Sequence, residues 1–400
     1  MNRSRTQTAI TNDFKLRIEN SIWGTGATSR SSSQLDWFFK YCHHEMGQAG
    51  VMPEMRVEQL DAVLTALGIL KSDHNKPKRE LCSLLSNPLV VDLSVRLMLA
   101  TGCRAQATIG GDIFRPRWKD HESLVQYIIR VYPQHDGISE SAAGRGGQPI
   151  SLRKLSADYL RAYADINIRW TEHLTDHLLL KKGPRWKNLY LFKHPAFILK
   201  SLQTLADAEL EDEADEPDPK MDAAEVCADS ISRGCLPPAL LLETLHTFEI
   251  LFPPVGDIRS RRLLAKEVAL HELDPALLQT LQFQSSDHES PSDVQRATDI
   301  HSLYQRFPYW AARLHELWAE ADDPEPTSYI GKYTERKKSP RFMYWCGVLG
   351  IMVAIMFGIV STVLGCLQVW ISYCSWVNDS SIRGCGLKKA TWNGPDGSGG

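Results

Sequence analysis

VLGIMVAIMFGIVSTVLGCLQVW, running from Val348 to Trp370, holds twelve Val, Leu, Ile or Phe side chains and no charged one. It lies inside a run of 37 residues, Phe342 to Asn378, that lacks Asp, Glu, Lys and Arg altogether. A helix needs about 20 apolar residues to cross roughly 30 Å of hydrocarbon. At about −0.3 to −0.6 kcal/mol each, twelve such side chains favour insertion by roughly 4–7 kcal/mol before the costs of Gly, Ser and Gln. Amphipathic rings flank the run, Tyr344 and Trp345 at one end and Trp370, Tyr373 and Trp376 at the other, as they do at headgroup level. Thirty-seven residues exceed one crossing and fall short of two with a turn. The expectation is a single transmembrane helix over 342–376, its core about 346–370, with interfacial shoulders.

The flanks give orientation. Lys332, Arg336, Lys337, Lys338 and Arg341 precede the span, where they meet anionic headgroups, while Arg383, Lys388 and Lys389 follow further off. Five against three predicts a cytosolic N-terminal side and a short polar tail, 377–400, on the opposite side, in the manner of a tail anchor. Asn378-Asp379-Ser380 is an N-glycosylation acceptor if it faces a lumen. Met1 to Arg17 is polar and lacks an apolar h-region, in keeping with a cytosolic N-terminal part. Along the span Gly350, Ala354, Gly358 and Thr362 recur every fourth residue. They make a smooth face on which a second helix packs closely, so the expected partners are the bilayer and another membrane helix, its own copy or a different one.

Composition bounds the remainder. Of 400 residues, 43% are hydrophobic and 23% charged, with a net charge of −3. Disordered, collagen-like and strongly basic proteins are excluded, and the near-neutral balance argues against nucleic acid as a partner. Nine cysteines, an odd number with no C-x-x-C pair, point to neither a zinc ribbon nor a disulfide framework.

Residues 1–34, rich in Ser, Thr, Arg and Asn, are expected to form a disordered arm. Residues 35–320 read as one large, mostly α domain. Val57, Leu60, Leu64 and Leu67 recur at helix spacing, and Asn87-Pro88 places an N-cap before proline at N1 of a helix reaching Leu99. His194-Pro195 and Asp274-Pro275 repeat that device. Further helices are predicted over Leu152 to Tyr163, over Leu240 to Leu251, and from about Val294 through Leu317 with a kink at Pro308. Only Asn188 to Phe192 reads as a strand. Flexible loops fall near 135–149, 207–225 and 284–293, the second holding ten acids against one Lys. A basic juxtamembrane linker, 321–341, leads into the span.

The sharpest candidate for chemistry is Trp170-Thr-Glu-His-Leu-Thr-Asp-His177. On a helix, His173 and His177 would share a face and hold one zinc ion, with Asp176 as base, echoing the inverted zincin H-x-x-E-H. The alternative places these side chains in surface and structural hydrogen-bond roles. Phe114-Arg-Pro-Arg-Trp118 mixes cations with aromatics, either as a nucleotide or phosphate site or as an Arg laid over a Trp face. No nucleophile elbow, phosphate-binding loop or dinucleotide fingerprint is present in the sequence.

Trp37-Phe-Phe-Lys-Tyr-Cys42, Phe114 to Trp118, Trp170 to Leu180, Tyr190 to Phe197 and Leu242-Glu-Thr-Leu245 carry a resemblance. The chain resembles a group of filamentous-fungal proteins with a large helical soluble region and one C-terminal transmembrane helix. The resemblance implies that architecture over most of 35–375 and brings no activity or site. The expected function is therefore binding or scaffolding at a membrane surface, without a cofactor. A membrane-tethered zinc hydrolase using His173 and His177, and a subunit of a complex joined through the small-residue face, are the alternatives.

Overall fold

The computed structural model describes residues 12–24, 35–47, 57–85, 87–107, 113–135, 150–211, 222–254, 257–271, 273–275, 277–278, 300–324 and 340–377. Among them 69% are helical, in fourteen helices, and the chain divides into two compact units, Met1–Thr327 and Ser328–Gly400. The first unit opens with α1 (Asn12–Trp23), α2 (Asp36–Met46), α3 (Val57–Ser72), α4 (Lys78–Leu85) and α5 (Pro88–Leu99). Asn87 caps α5 as its sequence predicts, its side chain accepting from Leu89 N at 2.9 Å, with Pro88 at N1. Ala100 then turns left-handed at φ 48°, and its carbonyl accepts from Leu174 N at 2.8 Å. That bond ties the end of α5 to the segment bearing the His-Asp-His candidate.

The hairpin β1 (Gln106–Ala107) and β2 (Ile113–Arg115) precedes α6 (Leu124–Val131), which starts on a complete capping box, Ser123 with Gln126. After a 3-10 turn at Leu152–Leu155 come α7 (Ala157–Tyr163) and β3 (Ile166–Thr171), then a second 3-10 turn, Leu174–Asp176, followed by β4 (Leu179–Gly183) and β5 (Trp186–Phe192). The sheet order is β3-β5-β4, with β3 parallel and β4 antiparallel to β5. Helices α8 (Pro195–Glu211), α9 (Ala223–Ser232), α10 (Pro238–Leu251), α11 (Ile258–His271), α12 (Ile300–Arg306) and α13 (Ala311–Asp322) complete the unit. Glu320, on α13, is 3% exposed and accepts from Lys187 on β5 (2.5 Å) and Lys182 on β4, clasping the last helix of the unit to the sheet.

Four expectations need correction. Asn12–Trp23 is not a disordered arm: Phe14, Ile18 and Ile22 fall four apart on one face of α1 and are buried, an apolar stripe that the polar average conceals. Leu152 to Tyr163 is not one helix but a 3-10 turn and α7. The helix through Pro308 is two elements, α12 and α13, rather than one kinked rod. A strand, β3, occupies Ile166–Thr171, where Ile166, Ile168 and Trp170 alternate with Asn167 and Arg169. Of the loop regions, α8 extends to Glu211 and α9 begins at Ala223, so only the middle of 207–225 lies outside the described residues, as does all of 284–293.

The second unit contains α14 (Pro340–Val377). Its segment Gly347–Trp376 spans 30 residues, and the most apolar 18 of them have a mean hydropathy of 2.4 with none buried. Thirty residues at 1.5 Å rise span about 45 Å, matching a bilayer with its headgroup layers. This is one helix long and apolar enough to cross a membrane. Lys332, Arg336, Lys337, Lys338 and Asn378 lie outside the described residues, and Arg341 falls in the first turn of α14.

Candidate functional site

The His173–His177 segment is not helical. His173 and His177 bracket the 3-10 turn in extended conformations (φ −108°, ψ 129° and φ −60°, ψ 135°), so their spacing of four no longer places both imidazoles on one helix face. Asp176, 3% exposed, receives Nε of Arg115 at 3.1 Å, a second bond from the Arg115 Nη2, and the Thr171 hydroxyl at 3.1 Å. The Arg115 stem crosses Gly102 so closely that a Cβ there would meet its Cδ at 2.4 Å. Glycine at 102 is what lets the guanidinium reach the carboxylate.

His177 is fully buried. Its Nδ1 accepts from Phe192 N at 3.2 Å, which leaves the proton on Nε2 to be donated to Thr247 Oγ1 at 2.7 Å. The Thr247 hydroxyl passes the chain on to the Thr244 carbonyl at 2.7 Å. Trp310 meets the ring edge-on at 5.1 Å and Phe248 packs tilted against it at 5.3 Å, and Arg313 donates to the carbonyls of Thr175 and His177. Both ring nitrogens are thus committed to the fold, which corrects the reading of His177 and Asp176 as ligand and base. Among the described residues no group of three or more His, Cys, Asp or Glu side chains is placed to hold a metal ion.

The 114–118 motif is likewise structural. Trp118 is fully buried, stacked on Tyr127 at 5.8 Å, donates to the Glu122 carbonyl, and has Lys78 rather than an Arg over its face at 5.0 Å. Phe114 lies beneath Lys181 at 3.8 Å.

A cleft of about 280 Å³ opens beside this segment. One wall is a single face of α2, Trp37, Lys40, Tyr41 and His44, at positions i, i+3, i+4 and i+7. The other comes from the carboxyl ends of the parallel strands, where Thr171 pairs with Phe192, so the next residues, Glu172 and Lys193-His194, emerge side by side. His271, Leu273 and Asp274, at and beyond the end of α11, close it. Glu172 accepts from Lys193 at 2.5 Å and from His194 Nε2 at 2.6 Å. Although burial opposes its charge, these bonds and charges hold its carboxyl down at about 2. His194 is 2% exposed and packs at 5.3 Å from the Tyr41 ring; its buried Nδ1 has no hydrogen-bond partner among the described residues. Lys40 sits 3.7 Å over the Trp37 ring and has no carboxylate partner among the described residues. The sequence reading passed over this cleft, because its carboxylate and imidazole are 22 residues apart and meet only through the parallel register.

Burial holds His177 neutral down to about 3 and His173 to about 4, and lowers His194 as well. All three are depressed below their unfolded value near 6.5, so the unfolded chain binds protons that the native chain refuses. Their share of the stability is full above pH 6.5 and falls as pH drops through that window, while Glu243 and Glu249, raised by burial to about 8 and about 7, contribute in the opposite sense. His177 alone costs about 2 kcal/mol at pH 5, at 1.36 kcal/mol per pH unit. Imidazole resonances of the chain in detergent, followed from pH 7 to pH 5, test this; titration of His177 near 6.5 would contradict a buried neutral ring.

Compared with protein-family models, with curated proteins and with solved structures, the chain matches none.

Proposed function

We propose that the chain is a single-pass, tail-anchored membrane protein that holds its large helical unit at a cytosolic membrane surface for binding or scaffolding. The observation that carries this reading is α14, where none of the most apolar stretch of Gly347–Trp376 is buried among the described residues. Water is a poor solvent for such a surface, and hydrocarbon is a good one.

The five-against-three excess of Lys and Arg before the span supports the orientation. Gly350 and Gly358 have open space where a Cβ would stand, and the Thr362 hydroxyl is turned back onto the Gly358 carbonyl at 2.8 Å. The face so formed suits association with a second membrane helix.

Microsomes carrying the full chain test both parts. Carbonate washing leaves the protein in the pellet, and protease added outside removes the first unit while sparing a fragment that contains α14 and the tail. Release by carbonate overturns the anchor; protection of the first unit overturns the orientation.

A further inference from the structure

We propose that the outward face of α11 docks on an anionic bilayer surface, an inference that rests on the membrane reading above and gives it a specific contact. α11 exposes nine residues, of which four, Arg259, Arg261, Arg262 and Lys266, are cations and none is an acid. Its buried side is Ser260 and Leu264. Glu267, the single acid of the helix, has a side chain 14% exposed and is met by Arg161 of α7 at 4.0 Å and by His271 at 3.3 Å. Among the described residues Arg259 has one carboxylate near it, Asp158 at 3.9 Å, while Arg261, Arg262 and Lys266 have none. The face therefore presents uncompensated positive charge in a chain whose net charge is −3.

The apolar side chains on the same face select lipid as the partner. Ile258, Arg262, Lys266 and Leu270 stand four apart and form one ridge of the helix. Ile258 and Leu270, at its two ends, are 55% and 63% exposed. At a bilayer surface the cations meet phosphate groups, and their alkyl stems and the two apolar ends enter the boundary of the acyl chains. A polynucleotide or an acidic polypeptide answers the charges alone and leaves Ile258 and Leu270 in water.

The path of the chain brings this face within reach of lipid. Asp322, at the end of α13, pairs with Lys154 in the 3-10 turn that leads into α7. The Asp158 amide in the first turn of α7 donates to Ser260 Oγ of α11 at 2.9 Å. The tether thus leaves the first unit beside the helix pair that carries the face. Residues 325–339, fifteen in all, separate that exit from α14, a reach of at most about 50 Å. α11, with 14 residues, is about 21 Å long, so the linker is long enough for the face to lie on the surface.

Lysine footprinting of the full chain tests the contact. The chain is added to preformed vesicles of phosphatidylcholine, alone or mixed with phosphatidylglycerol, and treated with an uncharged acylating reagent. Mass spectrometry then reads the rate at Lys266 relative to Lys119, an exposed lysine ahead of α6. Lys266 reacts about fivefold more slowly on the anionic vesicles than on phosphatidylcholine. Each cation near an anionic surface strengthens docking by about fivefold, so Arg259→Gln with Arg262→Gln weakens it about 25-fold and returns Lys266 to its phosphatidylcholine rate. Both positions are exposed, which spares the fold. Co-flotation reads the anchor separately. A chain that floats with both vesicles while Lys266 reacts equally on them overturns the docking face and leaves the anchor standing. A chain that floats only with the anionic vesicles, with Lys266 slowed, upholds the face and removes the anchor. Slowing by added polyglutamate but not by phosphatidylglycerol assigns the face to an acidic polypeptide and overturns the proposal, as does a double variant that behaves like the parent.

Discussion

Asp176→Asn destabilises the first unit by about 3–5 kcal/mol, the range for breaking a buried ion pair from one side. The substitution keeps the shape of the side chain and removes its charge. Arg115, whose side chain is 16% exposed, then keeps its guanidinium against an amide that cannot answer it, and Arg313 loses its nearby counter-charge. The Thr171 hydroxyl must also find a new partner. Asp322→Asn provides the contrast, because Lys154–Asp322 joins side chains 30% and 35% exposed. Exposed pairs contribute about 0–1 kcal/mol. Denaturant midpoints of the two variants should differ severalfold in their displacement from the parent. Equal small shifts would falsify the role of Asp176 as a buried anchor.

Val360→Arg with Val363→Arg releases the chain from the membrane. Both positions lie near the middle of Gly347–Trp376. Each exchange replaces a contribution of about −0.3 to −0.6 kcal/mol by one of about +2.5 to +3.5 kcal/mol, so the pair costs roughly 6–8 kcal/mol. That matches or exceeds the roughly 4–7 kcal/mol that drives insertion. Fractionation after carbonate treatment moves the double variant to the supernatant or to aggregates. A control, Val360→Leu with Val363→Leu, stays in the pellet. Retention of the arginine variant in the bilayer would show that something besides apolar burial holds α14 there.

How much of this was legible in the sequence depends on how local the physics is. The apolar run and the Asn87 cap are properties of adjacent residues, and both stand in the structure as the sequence reads. α1 was hidden because three buried side chains, Phe14, Ile18 and Ile22, are diluted by polar neighbours in any average. The His173–Asp176–His177 spacing misled because a spacing carries a geometry only with a conformation attached. That conformation is set by Arg115, 61 residues away from Asp176, and by Ala100, whose carbonyl holds Leu174. The Glu172–His194 pair depended on recognising β3. Once two parallel strands are aligned at Thr171 and Phe192, the residues that follow them are neighbours.

The clasp of Glu320 by Lys182 and Lys187 has a mechanical consequence for a tethered protein. Any pull from the anchor travels back along the chain and reaches Asp322, the last residue of α13, before any other described element of the first unit. Two residues further in, tension meets a doubly bonded carboxylate rooted in β4 and β5. The load passes into strands cross-linked by hydrogen bonds along their length, so α13 is braced against peeling and the cleft at the far ends of those strands is insulated from drag on the tether.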